Sequence, residues 1–287
     1  MNDIYGVDPK APSNLAELSA LVRLFSPSEG RFISDFPMGW SEELRNHMKS
    51  ISDGLSFASV EAWIRLGKHA LLPASQQYKS NLTWVENSAF IREEVVRLIG
   101  SSTEKSKIID QIDKILLDPN AFRDCRGDLI PRTAFAYGKI SSPILLRSRK
   151  VVLVDPFITF RFLPQYKTNW QPDRRRNVVK EMLKIAQKGR FVECFEIFYE
   201  PVNQVYGAEY LQEDLQNLVD ELGIKNIDVA CHPTKKDSNT KQHARYLLGL
   251  HSGLHFDHGF DTAEDDSRNH VEWMGNSVLE PLLKKFT

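Results

Sequence analysis

The chain of 287 residues carries 37 Lys and Arg against 38 Asp and Glu, a formal net charge of −1. A hydrophobic content of 41% with 26% charged residues is typical of a globular protein, which excludes wholly disordered, collagen-like and coiled-coil chains. At roughly 150 residues per domain, the length predicts two domains or one large one. The near-neutral total argues against a surface that is basic throughout, but it allows a local basic patch.

The cysteines and the N-terminus indicate a cytoplasmic protein. Cys125, Cys194 and Cys231 lie far apart and form no Cys-x-x-Cys pair, so neither a zinc ribbon nor a disulfide framework is predicted. The first ten residues lack the basic and apolar regions of a secretory signal, and no apolar run is long enough to span a bilayer. We therefore expect reduced thiols and no transmembrane segment.

The first 120 residues predict a helical module of unassigned role. Apolar residues recur at helical intervals from Leu15 to Leu24, and Ser41 precedes two glutamates as at a helix start. Further helices are predicted over Val60–Leu72, over Phe90–Ile99 and from Thr103 to Pro119. Residues 121–149 are rich in Gly, Pro and Ser and predict a turn-rich connection that contains a short strand at Ile144–Leu146.

Residues 150–287 predict a mixed-sheet α/β domain. Lys150–Val154 is a continuous β-branched run, which is typical of a strand buried on both faces. Strands and helices then alternate, and short strands follow them. The predicted elements are a helix from Asp173 to Lys188, a strand over 191–199, a helix over 208–222, strands over 226–231, 243–250, 254–260 and 270–274, and a helix over 278–286.

Short motifs in this half carry a family resemblance. One is the strand end Val154-Asp155-Pro156-Phe157-Ile158. The others are His243-Ala244-Arg245-Tyr246, His258-Gly259-Phe260-Asp261 and Asn269-His270-Val271-Glu272-Trp273. Residues 150–286 thus resemble the phospholipase D-like domain at the C-terminus of microtubule-interacting-and-trafficking (MIT) domain proteins. Ala244 and Phe260 depart from the family motifs, and the first half does not resemble a MIT three-helix module.

The resemblance makes His243 the candidate catalytic residue. A phospholipase D-type enzyme uses a His nucleophile beside a phosphate-holding Lys, and a second His as general acid. Here His243 and Arg245 are two residues apart, so a strand presents both on one face, and Arg can bind phosphate bidentately. No second His-x-Lys pair occurs. The resemblance therefore implies a catalytically degenerate domain that binds phosphorylated headgroups, with Asp155, Asp261 and Asn269 in supporting roles.

A basic stretch strengthens the phosphate hypothesis. Between Arg161 and Arg190 there are nine basic residues and two acidic ones, and Arg174, Arg175 and Arg176 begin a helix. Such a composition suits nucleic-acid backbone or phosphorylated headgroups. The predicted phosphate-binding residues are Arg161, Arg174, Arg175, Arg176 and Arg245. The alternative for the helix is an amphipathic element whose charges form a solvated face.

The sequence leaves three functional hypotheses. The first is phosphate recognition in a regulatory or host-defence assembly, as a homodimer or with a partner protein bound through the helical half. The second is a single-motif phosphodiesterase or nuclease that uses His243 as a dimer, and the third is a protein-interaction scaffold. No cofactor is predicted. Six of the eight histidines lie between residues 232 and 270 but match no ligand spacing, so no metal is predicted either.

Overall fold

The computed structural model describes residues 3–51, 57–74, 76–118, 127–161, 173–201, 208–234, 245–263 and 265–286. The chain divides into two compact units, residues 1–125 and 126–287. Each contains helices and a β-sheet, which confirms the predicted α/β class. Within the described residues, no helix is long and apolar enough to cross a membrane.

The first unit is built on a five-stranded parallel sheet with strand order β3-β2-β1-β4-β5. Its strands are β1 (Asp3–Val7), β2 (Arg31–Asp35), β3 (Leu71–Pro73), β4 (Arg97–Gly100) and β5 (Asp110–Gln111). Its helices are α1 (Leu15–Leu24), α2 (Trp40–Ile51), α3 (Phe57–Gly67), α4 (Trp84–Ile91) and α5 (Ile112–Leu117). Apolar residues of the sheet and of α1, α2 and α3 form one core.

The prediction of a helical first module is wrong, because this unit contains a five-stranded sheet. Helices α1 and α2 are confirmed, but Leu71-Leu72 and Leu98-Ile99 belong to strands rather than to the ends of helices. Strands of a parallel sheet are buried on both faces, so they lack the alternating pattern that would distinguish them from helical runs. Thr103 starts no helix, because α5 begins only at Ile112.

The second unit is built on a seven-stranded mixed sheet with strand order β6-β12-β11-β10-β7-β8-β9. Strands β7, β8 and β9 run parallel, whereas β10, β11, β12 and β6 pair antiparallel with their neighbours. The strands are β6 (Gly127–Pro131), β7 (Lys150–Val154), β8 (Cys194–Tyr199), β9 (Asp228–Pro233), β10 (Arg245–Leu248), β11 (Gly253–Phe256) and β12 (Arg268–Trp273). The helices are α6 (Ala134–Leu145), α7 (Asp173–Gly189), α8 (Ala208–Glu221) and α9 (Asn276–Phe286).

The elements predicted from residue 150 onward are confirmed within a few residues at each end. The predicted turn-rich connection is wrong, because residues 127–145 form the edge strand β6 and the helix α6. Pro131 is tolerated because it closes an edge strand, and Thr133 caps α6 by accepting the backbone N–H of Ala136 at 3.1 Å. The predicted strand at Ile144–Leu146 instead lies at the end of α6.

Candidate functional site

A buried carboxylate lies at the carboxyl end of β7. Asp155 follows Val154 directly and is fully buried. Its Oδ1 accepts the backbone N–H of Phe157 at 3.0 Å, and its Oδ2 lies 3.4 Å from the backbone N of Phe260. Because β7 and β8 are parallel, this is the edge of the sheet at which α/β folds place ligands.

Two arginines converge on that carboxylate. Arg175 reaches it from the first turn of α7, with Nε 4.0 Å from Asp155 Oδ2. Arg245 begins β10, and the register that pairs Tyr246 with Val154 brings it beside Asp155, with Nε 3.6 Å from Oδ1. Their side chains are only 12% and 15% exposed. The fold thus gathers one carboxylate and two guanidinium groups from distant parts of the sequence.

A second acid–base pair lies beside the first. Asp261 Oδ2 is 2.7 Å from Arg132 Nη2. Burial lowers the pKa of Arg132, but the hydrogen bond and the charge of Asp261 outweigh it and raise that pKa overall. Gly259 lies between the pairs, since a Cβ there would be 3.4 Å from Arg245 Nε and 3.5 Å from Asp261 Oδ1. We call Arg132, Asp155, Arg175, Arg245 and Asp261 the arginine cluster.

Buried hydrogen bonds hold the loop that carries Gly259. The amide of Asn269 is fully buried; its Oδ1 accepts the N–H of His258 at 2.9 Å and its Nδ2 donates to the carbonyl of His258 at 3.2 Å. That Nδ2 also donates to the Tyr137 hydroxyl at 2.9 Å, and the hydroxyl donates to the carbonyl of Gly259 at 2.9 Å. Burial raises the pKa of Tyr137 to about 12, so the donor stays protonated. Asn269 therefore positions the cluster through the loop.

The structure brings together several of the residues predicted from sequence. Asp155, Arg175, Arg245 and Asp261 lie in one cluster, and Asn269 supports it. Arg174 lies half-buried in the first turn of α7. The predicted catalytic residue, His243, lies outside the described residues.

Arg161 and Arg176, also predicted to bind phosphate, are paired with acidic side chains. The guanidinium of Arg161 donates to both carboxylate oxygens of Asp214 at 2.8 Å and to Glu213 at 3.0 Å. Arg176 is bound by Glu221, which also binds Lys180. These acidic residues all lie on α8. The phosphate-binding role of both arginines therefore stays a prediction. Their charge is already neutralised by a neighbouring helix.

Sequence reasoning missed Arg132 and Tyr137. Both lie in the stretch predicted to be a turn-rich connection, where β6 and α6 were not recognised. Arg132 directly follows β6, and Tyr137 is buried in α6. Thr133 was the one local signal for that helix, since a Thr before a run of helix-compatible residues is a typical N-cap.

Within the described part of the second unit, the other reactive groups form no recognisable centre. Among the described residues, no group of three His, Cys, Asp or Glu side chains could hold a metal ion. Cys194 and Cys231 are free thiols, and burial raises their pKa to about 11 and about 12. Thiols of such high pKa are protonated at neutral pH and are poor nucleophiles.

Comparison with known proteins identifies no family. No protein-family model and no curated protein matches the sequence. Among solved structures, the chain is similar to TrmBL2, whose structure is described as that of an archaeal chromatin protein with a novel mode of DNA binding. The two share 11% identity over 70% of this chain, with a TM-score of 0.28. This chain matches 60% of the length of TrmBL2. A TM-score of this size assigns neither fold nor function, so the phospholipase D-like resemblance stays a prediction.

Proposed function

We propose that the second unit recognises phosphate groups and that the arginine cluster is the binding site. The observation that carries this proposal is the convergence of Arg175 and Arg245 on Asp155, at the carboxyl end of a parallel strand. A guanidinium group presents a planar fork of donors that matches the geometry of phosphate oxygens. Two such groups, each within 4.0 Å of the same carboxylate, concentrate positive charge at this edge of the sheet, which favours an anion there.

Asp155 restrains both arginines, and Arg245 also donates from Nη1 to the carbonyl of Asp257 at 3.2 Å. At 4.0 and 3.6 Å, the Nε atoms of Arg175 and Arg245 are too far from the carboxylate for hydrogen bonds. Arg161 differs, since it makes two hydrogen bonds of 2.8 Å with Asp214. Asp155 thus fixes both guanidinium groups in advance, which lowers the entropy lost on binding.

Two further features favour an anion at this point. Arg175 lies in the first turn of a 17-residue helix, where the peptide dipoles add positive potential. The guanidinium of Arg245 lies 5.5 Å from the ring of Phe157, which limits its rotation. The phosphate could belong to a nucleic-acid backbone or to a phosphorylated headgroup, because the recognition chemistry is the same.

The proposal is tested by binding measurements with adjacent variants. Titrations would use a fluorescent 20-base-pair DNA duplex and, separately, vesicles containing phosphatidylinositol phosphate. We expect Arg175→Ala and Arg245→Ala to weaken binding about tenfold or more, as for the loss of a charge-assisted hydrogen bond. Arg176→Ala is the matched control: it makes the same change one residue away, but its side chain is held by Glu221.

Equal losses in Arg175→Ala and Arg176→Ala would show that general charge, rather than the arginine cluster, attracts the ligand. Wild-type affinity in both cluster variants would remove the proposed site altogether. Thermal unfolding of each variant checks that the fold survives. Light scattering on the same samples tests the predicted homodimer.

The phosphodiesterase alternative has its own test. Wild-type protein and His243→Ala would be incubated with bis(p-nitrophenyl) phosphate and with DNA. Hydrolysis by the wild type but not by His243→Ala would support the phosphodiesterase alternative. Equal background rates in the wild type and in His243→Ala would contradict that alternative.

A further inference from the structure

A second basic feature lies at the other end of α7. A cleft of about 640 Å³ is lined by Gln187 and Lys188 of the last turn, by Arg190 just after the helix, and by Asn226 between α8 and β9. We call it the basic cleft. It lies by the amino ends of β8 and β9, whereas Asp155 follows the carboxyl end of β7.

Among the described residues, no acidic side chain pairs with Lys188 or Arg190, whereas Glu221 pairs with Arg176. Lys188 and Arg190 are exposed, and neither side chain forms an ion pair or a hydrogen bond with any residue that the structure describes. Earlier in the same helix, Arg176 and Lys180 are bound by Glu221, and Lys184 lies 3.6 Å from Glu181. From Arg176 onward, the unpaired charge of this basic run therefore lies at its C-terminal end.

Arg190 also has a backbone conformation that favours glycine. Its φ of 56° is the one positive value among the described non-glycine residues. A glycine commonly follows a helix at this position, but here Gly189 comes one residue earlier. A Cβ on Gly189 would lie 2.9 Å from Leu146 Cδ2 and 3.0 Å from Leu146 Cα, so close packing against the end of α6 requires that glycine. The chain thus keeps a charged side chain at a strained position, which suggests a role for that side chain.

The distance between the arginine cluster and the basic cleft indicates the kind of ligand. Thirteen residues of helix separate Arg175 from Lys188, which corresponds to about 20 Å at about 1.5 Å per residue. A single phosphorylated headgroup is too short to reach both. Successive phosphates of a duplex strand are about 3.4 Å apart along the axis, so about six of them cover this distance.

We propose that the basic cleft binds the phosphate backbone of a nucleic acid whose other contact is the arginine cluster. The inference rests on the proposed function and narrows its ligand to nucleic acid. Lys188 and Arg190 supply the charge, while the amide side chains of Gln187 and Asn226 can donate hydrogen bonds to phosphate or sugar oxygens.

The test compares a long and a short probe at several salt concentrations. The probes are the 20-base-pair duplex and a 5′-phosphorylated dinucleotide, which is too short to reach the basic cleft from the arginine cluster. For the double variant Lys188→Ala with Arg190→Gly, we expect the slope of log affinity for the duplex against log salt to fall by about two. Its affinity for the dinucleotide should not change. Lys184→Ala, one turn earlier and next to Glu181, is the matched control and should behave as wild type.

The outcomes separate this inference from the proposed function. If Arg175→Ala weakens both probes while the double variant binds the duplex as wild type, the basic cleft is overturned and the arginine cluster stands. If only the double variant weakens duplex binding, the basic cleft binds the duplex alone, and both the proposed function and the contact that joins the two sites are overturned. Weaker binding of phosphoinositide vesicles by the double variant, with unchanged duplex binding, would assign the cleft to a membrane and overturn the inference.

A stability measurement excludes a purely structural role. Glycine relieves the left-handed backbone at position 190, so Arg190→Gly should unfold at the same temperature as wild type or higher. A lower unfolding temperature together with unchanged duplex affinity would show that Arg190 stabilises the end of α7 and does not bind a ligand.

Discussion

The two units share an α/β architecture but differ in the side chains at the carboxyl edge of the sheet, which are acidic in the first unit and basic in the second. In the first unit, the chain's own side chains cap the helices that begin there. Glu17 accepts the N–H of Ser13 at 2.7 Å at the start of α1, and Asp35 accepts the N–H of Trp40 at 3.1 Å at the start of α2. At α4, Thr83 and Glu86 form a capping box. Carboxylates thus occupy positions that would otherwise attract an anion.

In the second unit, the corresponding edge carries guanidinium groups. Arg175 and Arg245 surround the single carboxylate of Asp155, and Arg132 pairs with Asp261 close by. Parallel strands and helix N-termini meet at this edge in both units, so they do not by themselves decide which charge the edge carries. The charge at this edge depends on the side chains that reach it, which are acidic caps in the first unit and arginines in the second. Variants at these positions test the difference.

The largest expected effect contrasts two carboxylates that end strands. In Asp155→Asn, two guanidinium groups lose a buried counter-charge, so unfolding should become easier by about 3 kcal/mol. Asp35→Asn retains the oxygen that caps α2 and should lose no more than about 0.5 kcal/mol. Urea unfolding measures both. Added sulfate should restore stability to the Asp155 variant alone, and a lack of rescue would argue against an anion between the arginines.

The next effect compares two buried asparagines. Asn87 holds residues 79–83 of the first unit by bonding the backbone of Lys79, Leu82 and Thr83, much as Asn269 holds the loop at His258. Each Asn→Ala variant should lose about 3 kcal/mol, because several buried bonds disappear. Duplex affinity should fall only in Asn269→Ala. An equal fall in both variants would mean that binding reflects general unfolding instead of loop position.

A smaller effect is expected at Arg161. Its ion pair with Asp214 and its contact with the ring of Tyr210 at 4.3 Å are partly exposed, so Arg161→Ala should lose about 1 kcal/mol of stability. Phosphate affinity should stay at the wild-type value, since the carboxylates of α8 already neutralise this charge. Titration against Arg175→Ala provides the comparison. Weaker binding in the Arg161 variant would show that the ligand extends to α8.

The smallest effect is a pair of opposite pH dependences. Burial raises the pKa of Asp8 in the first unit, so its ionised form is disfavoured in the folded state. The advantage of Asp8→Asn over wild type should therefore be absent at low pH, grow as pH rises through the raised pKa, and stay below about 1 kcal/mol. Unfolding from pH 3 to 8 measures it.

Glu221 in the second unit should affect stability with the opposite pH dependence. Hydrogen bonds from Lys180 and Arg176 lower its pKa. The stabilisation is then present at neutral pH and lost as pH falls through the lowered pKa, so Glu221→Gln should be less stable than wild type only at the higher pH. Two variants with the same sign of pH dependence would contradict this contrast between the units.

The fold of the second unit could be predicted from the sequence more fully than that of the first. Long amphipathic helices such as α7 and a β-branched strand such as β7 have distinctive patterns. The strands of the first unit have only two to five residues, and Leu98-Ile99 before Gly100 has the same pattern as the end of a helix. Only their pairing in a parallel sheet distinguishes them.

The site was predictable only where motifs pointed to it. Asp155, Arg245, Asp261 and Asn269 were indicated by the family resemblance, and Arg175 by charge. Charge density alone could not separate Arg175 from Arg176, because their difference depends on the position of Glu221 in another helix. Arg132 could not be foreseen, since its approach to Asp261 depends on the pairing of β6 with β12.

That last pairing also constrains when the second unit can be completed during synthesis. The guanidinium of Arg268, which begins β12, donates a hydrogen bond to the carbonyl of Leu129 in β6, 139 residues earlier. During synthesis, β6 cannot form its pairing with β12 until β12 has left the ribosome. Strands β1 and β2 of the first unit can pair much earlier. The contact between Arg132 and Asp261 forms only at this late stage. Contact between Arg132 and Asp261 in a nascent chain would therefore report that β6 has joined the second sheet.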